Sequence, residues 1–255
     1  MDTATASRLL EALVPIVRAA GAVVMDIYRA DFTVRGKHDA SPVTEADERA
    51  EALIVPLEAL LPGVPVVAEE AVAAGRLPAL GRRFWLVDPL DGTKEFIGRN
   101  GEFTVNIALV EDGEAVLGTV FAPAIERLFL GATGIGAFVE QDGRRGPIRC
   151  RAVPPAGLTV VASRSHGDAT ALDAFLGARK VAALTNAGSS LKLCLVAAGE
   201  ADLYPRLGRT MEWDIAAGHA VLSAAGGHVQ TLAGAPLRYG KPGLDNPHFV
   251  ASGLT

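Results

Sequence analysis

Two carboxylates follow an apolar run in residues 85–96, which read Trp85-Leu86-Val87-Asp88-Pro89-Leu90-Asp91-Gly92-Thr93-Lys94-Glu95-Phe96. The apolar start predicts a buried strand. Pro89 fixes its own φ and pushes Asp88 into an extended conformation, so Asp88 and Asp91 can point at one place, where they repel each other unless a cation lies between them. The pair Gly92-Thr93 then opens a helix whose N–H groups suit a phosphate. Taken alone, the stretch fits a metal beside a phosphate and, equally, a turn with an Asp cap.

Three other segments place acidic residues at the starts of predicted helices. Val67-Ala68-Glu69-Glu70 has two acids after a short apolar run, a pattern that is also typical of a solvated helix start. In residues 211–218, Asp214 stands at the head of an Ala-rich helix, where an acid is normally a cap or a dipole partner. In residues 41–47, Thr44 and Asp47 have the spacing of a capping box.

These four segments, in this order, resemble the inositol monophosphatase superfamily of metal-dependent phosphatases. The matching pieces span most of the chain and are Glu69-Glu70, Asp88-Pro89-Leu90-Asp91-Gly92-Thr93, and Trp213-Asp214 with Ala225-Gly226-Gly227. The resemblance implies a fold of the α+β or α/β class, a layered αβαβα sandwich of the sugar-phosphatase type. It also implies a site between the two halves of the chain.

Within that superfamily, four further segments resemble the CysQ-type 3'(2'),5'-bisphosphate nucleotidases. They are Lys94-Glu95-Phe96, Ala162-Ser163-Arg164-Ser165-His166, the run from Gly188 to Cys194, and the run from Gly199 to Arg206. The resemblance implies a Mg²⁺-dependent phosphatase that converts adenosine 3',5'-bisphosphate to AMP and phosphate with metal-activated water. The alternatives are an inositol monophosphatase, a fructose-1,6-bisphosphatase-like sugar phosphatase, and a metal- and nucleotide-binding protein without turnover. The last is disfavoured because such a protein has no need of a complete catalytic set.

The acidic residues of these segments are hard oxygen ligands, which favour Mg²⁺ over Zn²⁺. The resemblance implies that two or three Mg²⁺ ions are held by Glu69, Asp88, the carbonyl of Leu90, Asp91 and Asp214. In that arrangement Asp88 bridges two ions. Inhibition by Li⁺ and by Ca²⁺ is a further implication of the resemblance.

Other residues match catalytic and substrate-binding positions of the family. Asp47 and Thr93 correspond to the pair that activates the attacking water. Glu70 supports that water indirectly, through the groups that contact it. The expected substrate contacts combine backbone N–H groups, cations for a second phosphate and a sugar contact, and they are Gly92, Thr93, His166, Ser189, Lys192, Arg206 and Glu212. Lys and Arg suit a second phosphate as a point charge and a planar fork.

The whole chain has the composition of an ordinary globular protein. Its 255 residues are 49% hydrophobic and 21% charged, and the formal net charge is −5. This charge argues against a general nucleic-acid binder. The resemblance implies a small phosphorylated nucleotide as the partner. Cys150 and Cys194 belong to no metal-spaced or redox pair and suit a reduced compartment.

No stretch of the sequence reads as a transmembrane span or a signal peptide. We therefore expect a cytoplasmic protein that associates at most peripherally with the inner membrane. The sequence does not decide between a monomer and a homodimer.

The hydrophobic pattern changes near Gly143–Pro147. Before it, long helices near residues 6–30 and 44–61 precede strands at 84–87, 104–110, 115–122, 127–131 and 135–140, an antiparallel pattern. After it, strands and helices alternate from residue 158 to residue 225, which indicates an α/β layer. We expect an N-terminal α+β half, residues 1–145, with most metal ligands, and a C-terminal α/β half, residues 146–255, that completes the site.

Overall fold

A seven-stranded sheet forms the first half of the chain in the computed structural model, which describes residues 1–36, 42–164 and 169–254. Its strand order is β3-β4-β5-β6-β7-β8-β9, parallel between β3 and β4 and antiparallel elsewhere. The elements of this half are α1 (Thr3–Arg29), β1 (Val34–Gly36), β2 (Pro42–Thr44), α2 (Glu45–Ile54), β3 (Val66–Ala68), α3 (Glu69–Ala73), β4 (Arg83–Asp91), α4 (Thr93–Ile97), β5 (Thr104–Glu111), β6 (Glu114–Ala122), β7 (Arg127–Ala132), β8 (Gly136–Gln141) and β9 (Arg144–Ile148).

A five-stranded mixed sheet forms the second half, in the order β11-β10-β12-β14-β13. Its elements are β10 (Leu158–Ser163), α5 (Ala169–Leu176), β11 (Val181–Ala187), α6 (Leu191–Ala197), β12 (Leu203–Arg206), α7 (Glu212–Ala224), β13 (His228–Thr231) and β14 (Phe249–Ser252). Strands β10, β11 and β12 run parallel, as the alternating pattern predicts, whereas β14 joins β12 and β13 in antiparallel pairs.

The helices complete five layers. Helices α1 and α2 cover one face of the seven-stranded sheet, and α6 and α7 lie between the two sheets. Helix α5 packs its Leu176 on Val160 and Leu203, on the outer face of the second sheet. The predicted αβαβα sandwich is thereby confirmed. No helix in the described part of the chain is long and apolar enough to cross a membrane.

Helix α7 lies unusually close to the first sheet. A Cβ atom at Gly118 would come within 2.4 Å of the carbonyl oxygen of Ala217, so only glycine fits at this point of β6. The close contact fixes α7 across strands β4 to β7. It thereby sets where the first turn of α7, which contains Asp214, lies relative to the end of β4.

Two predicted boundaries differ from the structure for physical reasons. The second helix ends at Ile54 and continues as a 3₁₀ turn, Val55–Ala59, because Pro56 lacks the N–H that an α-helix needs. The change from the first sheet to the second falls after Ile148, not at residue 145, because β9 pairs with β8. Both halves also contribute to one continuous core between the sheets, so they are layers of one unit.

Candidate active site

A cavity of about 390 Å³ opens where the end of β4 meets the N-termini of α4, α6 and α7. Its lining contains most of the predicted site residues, namely Glu69, Asp88, Leu90, Asp91, Gly92, Thr93, Ser189, Lys192, Arg206 and Asp214. They come from both halves of the chain. Six further polar residues of the lining lie outside the predicted site, and they are Lys94, Glu95, Ser163, Tyr204, Arg209 and Thr210.

The turn after β4 sets the positions of its acidic side chains. Asp88 pairs with Asn106 and Asp91 with Thr104, so β4 has one extra residue, a bulge at Pro89-Leu90. The N–H of Leu90 donates to Asp88 Oδ1 at 3.0 Å, which fixes that carboxylate. Proline cannot donate to the ladder, so the bulge is a natural place for it.

Gly92 caps α4 in the left-handed region, with φ of +89°. A side chain there would also come within 3.3 Å of the carbonyl oxygen of Glu102 and of Ser189 Cβ. Glycine therefore allows the chain to turn directly from the carboxylates into a helix N-terminus.

The acidic residues of the cavity repel one another. Burial raises the pKa of Asp91 to about 6, against the charge of Lys192 and hydrogen bonds from Ser190 and Asn106. Burial raises the pKa of Asp214 well above its usual value, and the charges of Asp91 and Glu69 raise it further. Three carboxylates within electrostatic reach of one another are the environment that a divalent cation stabilises.

This donor set fits Mg²⁺. All of its acidic members are oxygen donors, and the shared repulsion calls for a cation. In residues 1–36, 42–164 and 169–254, no three Asp, Glu, His or Cys side chains are grouped so that they alone could hold a metal ion. Mg²⁺ does not need such a group, because it keeps several waters and completes its coordination with substrate phosphate.

Asp47 and Thr93 are brought together from α2 and α4. The Thr93 hydroxyl lies 3.4 Å from Asp47 Oδ1 and 3.4 Å from the carbonyl oxygen of Leu90. The other oxygen of Asp47 accepts from the N–H and the hydroxyl of Thr44 at 2.8 Å each, which forms a capping box on α2. Asp47 thus has the capping contact and the Thr93 contact at the same time.

Glu69 and Glu70 begin α3 and differ in position. Glu69 lines the cavity, whereas Glu70 is not among the lining residues. The backbone N–H of Glu70 donates to Glu51 Oε2 at 2.7 Å. Burial raises the pKa of Glu51, a residue that no motif in the sequence marks. The one sequence feature that could have revealed it is its position, as an acidic residue on the apolar face of α2.

Lys192 and Arg206 add positive charge to the lining of the cavity that also contains the carboxylates. Lys192 is 4% exposed, its Nζ donates to the carbonyl of Ser189 at 2.5 Å, and it lies over the ring of Tyr204. Burial lowers the pKa of Lys192 to about 8, although the charge of Asp91 opposes the change. Arg206 donates to the carbonyl of Arg209 at 2.8 Å.

Two expected substrate contacts stand apart. Glu212 is fully buried and accepts hydrogen bonds from the N–H groups of Gly240 and Lys241 and from Lys241 Nζ. Its carboxylate therefore anchors the 238–241 loop, a structural function in place of the expected sugar contact. His166 lies outside the described residues.

Comparisons with known proteins agree with this geometry. Residues 5–252 match the sequence model that defines the inositol monophosphatase family. The 3'(2'),5'-bisphosphate nucleotidase CysQ of Escherichia coli K12 is 47% identical over 249 residues, covering 96% of this chain and 99% of the relative. The CysQ of Buchnera aphidicola is 39% identical over 253 residues, covering 97% and 94%.

Solved structures give the same result. The structure of CysQ from Bacteroides thetaiotaomicron, described as a bacterial member of the inositol monophosphatase family, has a TM-score of 0.80 and 36% identity, covering 96% of this chain and 97% of that one. An inositol monophosphatase from Anabaena has a TM-score of 0.76 and 27% identity, covering 96% and 90%. By its sequence, its layered fold and the residues of its cavity, the chain belongs to the inositol monophosphatase family.

Proposed function

We propose that this protein is a Mg²⁺-dependent 3'(2'),5'-bisphosphate nucleotidase that removes the 3'-phosphate of adenosine 3',5'-bisphosphate and gives AMP and phosphate. The observation that carries the proposal is one cavity lined both by carboxylates and by two buried cations, Lys192 and Arg206. We assign the metal and the reacting phosphate to the carboxylates, the carboxylate side, and a second phosphate to the two cations, the cationic side. A monophosphate needs only the carboxylates, whereas a bisphosphate uses both sets. The high identity to proteins named 3'(2'),5'-bisphosphate nucleotidase CysQ supports the same activity.

The carboxylate side would hold the metal. Glu69, Asp88, Asp91 and Asp214, with the carbonyl of Leu90, supply the oxygen donors for two or three Mg²⁺ ions. Bound Mg²⁺ would lower the pKa of a water molecule and offset negative charge on the phosphoryl oxygens. The N-terminus of α4, at Gly92 and Thr93, would offer backbone N–H groups to the same phosphate.

Thr93 and Asp47 would orient the attacking water. The Thr93 hydroxyl has two acceptors in reach, Asp47 Oδ1 and the carbonyl oxygen of Leu90. Whichever of them takes its hydrogen, its lone pairs can accept a hydrogen bond from a water molecule in the cavity. The 3.4 Å separation is long for a hydrogen bond, as is common at catalytic groups before substrate binds. Glu70, at the start of α3, would act on this water only indirectly.

The cationic side would hold the 5'-phosphate. Lys192 and Arg206 are both more than nine-tenths buried, so a phosphate bound between them would lose little binding energy to solvent screening. A second cavity of about 300 Å³ shares Ser163 and Arg206 with the first and has Leu172, Leu184 and Leu207 in its lining. We place the nucleoside toward this apolar cavity.

A panel of substrates tests the proposal. With Mg²⁺, phosphate release from adenosine 3',5'-bisphosphate should exceed release from inositol 1-phosphate and fructose 1,6-bisphosphate by about tenfold or more in kcat/KM. The nucleotide product should be AMP with its 5'-phosphate intact, and EDTA should stop the reaction. A preference for a sugar phosphate would favour the alternative phosphatases, and no release from any substrate would favour a binding protein.

A further inference from the structure

A buried bridge of hydrogen bonds joins two of the carboxylate residues through Asn106 and Ser190. Asn106 Nδ2 lies 3.3 Å from Asp91 Oδ2 and 3.2 Å from Ser190 Oγ. The backbone N–H of Ser190 donates to the same oxygen of Asp91 at 2.6 Å. The Ser190 hydroxyl donates to the backbone carbonyl of Asp214 at 2.5 Å. The path therefore runs from the end of β4, through β5 and the start of α6, to the first turn of α7.

The direction of each hydrogen bond in this bridge is fixed. The single hydrogen of the Ser190 hydroxyl goes to the Asp214 carbonyl, so Ser190 Oγ accepts from Asn106. The amide nitrogen of Asn106 then gives one hydrogen to Ser190 and the other to Asp91. The opposite amide orientation would place the Asn106 oxygen against the Asp91 carboxylate, which is repulsive. The amide of Asn106 thus provides two uncharged donors at this point.

Asn106 occupies its position at an energetic cost. Its Oδ1 atom is buried and has no hydrogen-bond partner among the described residues. A buried, unsatisfied acceptor costs roughly 1–3 kcal/mol. The amide oxygen of Asn106 is unsatisfied while both hydrogens of its NH₂ group are used. The presence of asparagine at this position is therefore best explained by the groups that these two donors hold in place.

Neither residue of the bridge can touch a substrate. Asn106 is 1% exposed and Ser190 is 2% exposed, and neither lines the cavity. We propose that Asn106 and Ser190 are positioning residues that hold Asp91 and Asp214 at the spacing a bound divalent cation requires. Asp91 comes from the first sheet and Asp214 from α7, so the bridge fixes a distance that no single element sets. The inference rests on the metal site of the proposed function.

Metal binding without turnover tests the bridge. The probe is Mn²⁺, titrated into metal-free full-length protein without substrate and measured by the electron paramagnetic resonance signal of free Mn²⁺. Ser190→Ala removes one oxygen, and Asn106→Leu replaces the amide by an apolar side chain of similar size. Each should raise the Kd for Mn²⁺ by about 10–100-fold, the usual effect of losing an outer partner of a metal ligand.

Thr119→Val is the matched control. Thr119 is fully buried in β6, next to β5, and its hydroxyl has no hydrogen-bond partner in the described ranges. The variant loses a buried polar atom in the same sheet without touching the bridge. Its Kd for Mn²⁺ should stay within about twofold of the wild-type value.

A second set of measurements separates positioning from general loss of structure. Ser190→Thr keeps the hydroxyl and should restore the Kd for Mn²⁺ to within about threefold of wild type. At saturating Mg²⁺ the KM for the nucleotide should be nearly unchanged in Ser190→Ala, while the Mg²⁺ concentration for half-maximal activity rises. Thermal unfolding of the metal-free variants shows that they are folded, and Ser190→Ala decides the result if Asn106→Leu does not fold.

A folded Ser190→Ala protein with a Kd for Mn²⁺ within about twofold of wild type would overturn the inference. The metal-binding result can be interpreted whichever substrate the enzyme prefers. Wild-type protein that binds Mn²⁺ but does not hydrolyse the bisphosphate would contradict the proposed substrate but not the proposed role of Asn106 and Ser190.

Discussion

Asp47 shows how one carboxylate can cap a helix and contact a second residue of the candidate site at the same time. Its sequence context, three residues after Thr44, predicts a capping box, and the structure has that box. The same side chain also contacts Thr93, 46 residues along the chain. Because the two oxygens of a carboxylate accept independently, a helix cap does not argue against a catalytic position.

If Asp47 and Thr93 act as one unit on the attacking water, as proposed, the effects of their substitutions are non-additive. Thr93→Ala should lower kcat by roughly 10²–10⁴-fold with little change in KM, because the hydroxyl orients water and holds little of the substrate. Asp47→Asn, which keeps an oxygen for the cap, should lower kcat by a similar factor. In the double variant the loss should be close to that of Thr93→Ala alone, measured by steady-state kinetics. Fully additive losses would mean that the two side chains act separately.

Asp88 allows a direct test of the metal site. Asp88→Asn keeps the shape of the side chain and its contact with the N–H of Leu90 but removes the negative charge. Phosphate release should vanish at every Mg²⁺ concentration while circular dichroism shows an intact fold. Asp173→Asn, the same change at an exposed position of α5, should leave activity at the wild-type level. Normal turnover in Asp88→Asn would remove Asp88 from the metal site.

At the scale of elements, the hydrophobic periodicity predicts helices and strands that have a local sequence pattern. It misses strands that form only by pairing with a distant part of the chain. The apolar spacing of Leu9, Leu13 and Val17 predicts α1, and the alternation after residue 158 predicts the parallel strands. Strands β13 and β14 were not predicted, because each is four residues long and finds its partner only after the chain has returned to β12. Such short segments carry too little pattern to be recognised alone.

Asp202 is expected to hold the start of β12 in place. Its carboxylate accepts from Arg151 Nε at 2.8 Å and from the N–H of Thr159 at 2.7 Å. Asp202→Asn should lower the free energy of unfolding by about 1.5–3 kcal/mol, the usual range for hydrogen bonds to a charged group. Denaturant unfolding measures the loss. Asp112→Asn, which weakens an ion pair with exposed Arg82, should have a much smaller effect.

The stabilisation by Asp202 should also depend on pH. Burial alone would raise the pKa of Asp202, but hydrogen bonds from Arg151 and Thr159 outweigh it and hold the pKa below its usual value. A carboxyl group whose pKa is lower in the folded state than in the unfolded state stabilises the folded state at pH values above its unfolded-state pKa. This stabilisation is lost as the pH falls through the folded-state pKa. The difference between wild type and Asp202→Asn should shrink below about pH 4. A difference that grows on acidification would contradict this assignment.

At the scale of the whole molecule, the site exists only because the layers meet. The local motifs of the sequence bring out the carboxylates, and the family resemblance adds the cations Lys192 and Arg206, all of which line the one cavity. The sequence does not predict Glu51, on the buried face of α2, or Asn106, in a buried strand, because neither residue has a partner nearby in the sequence that reveals its role. It also misplaces Glu212, whose partners at Gly240 and Lys241 lie on a distant loop.

The central claim is that one cavity has a side for chemistry and a side for the second phosphate. The most direct test is kcat/KM for adenosine 3',5'-bisphosphate and for inositol 1-phosphate, in wild type and in Lys192→Met, which keeps the buried stem and removes the charge. Wild type should prefer the nucleotide. Lys192→Met should lose about ten- to a hundredfold on the nucleotide, the equivalent of one charge-assisted hydrogen bond, and little on the inositol phosphate. Equal losses on both substrates, or a wild type that prefers inositol 1-phosphate, would contradict the account.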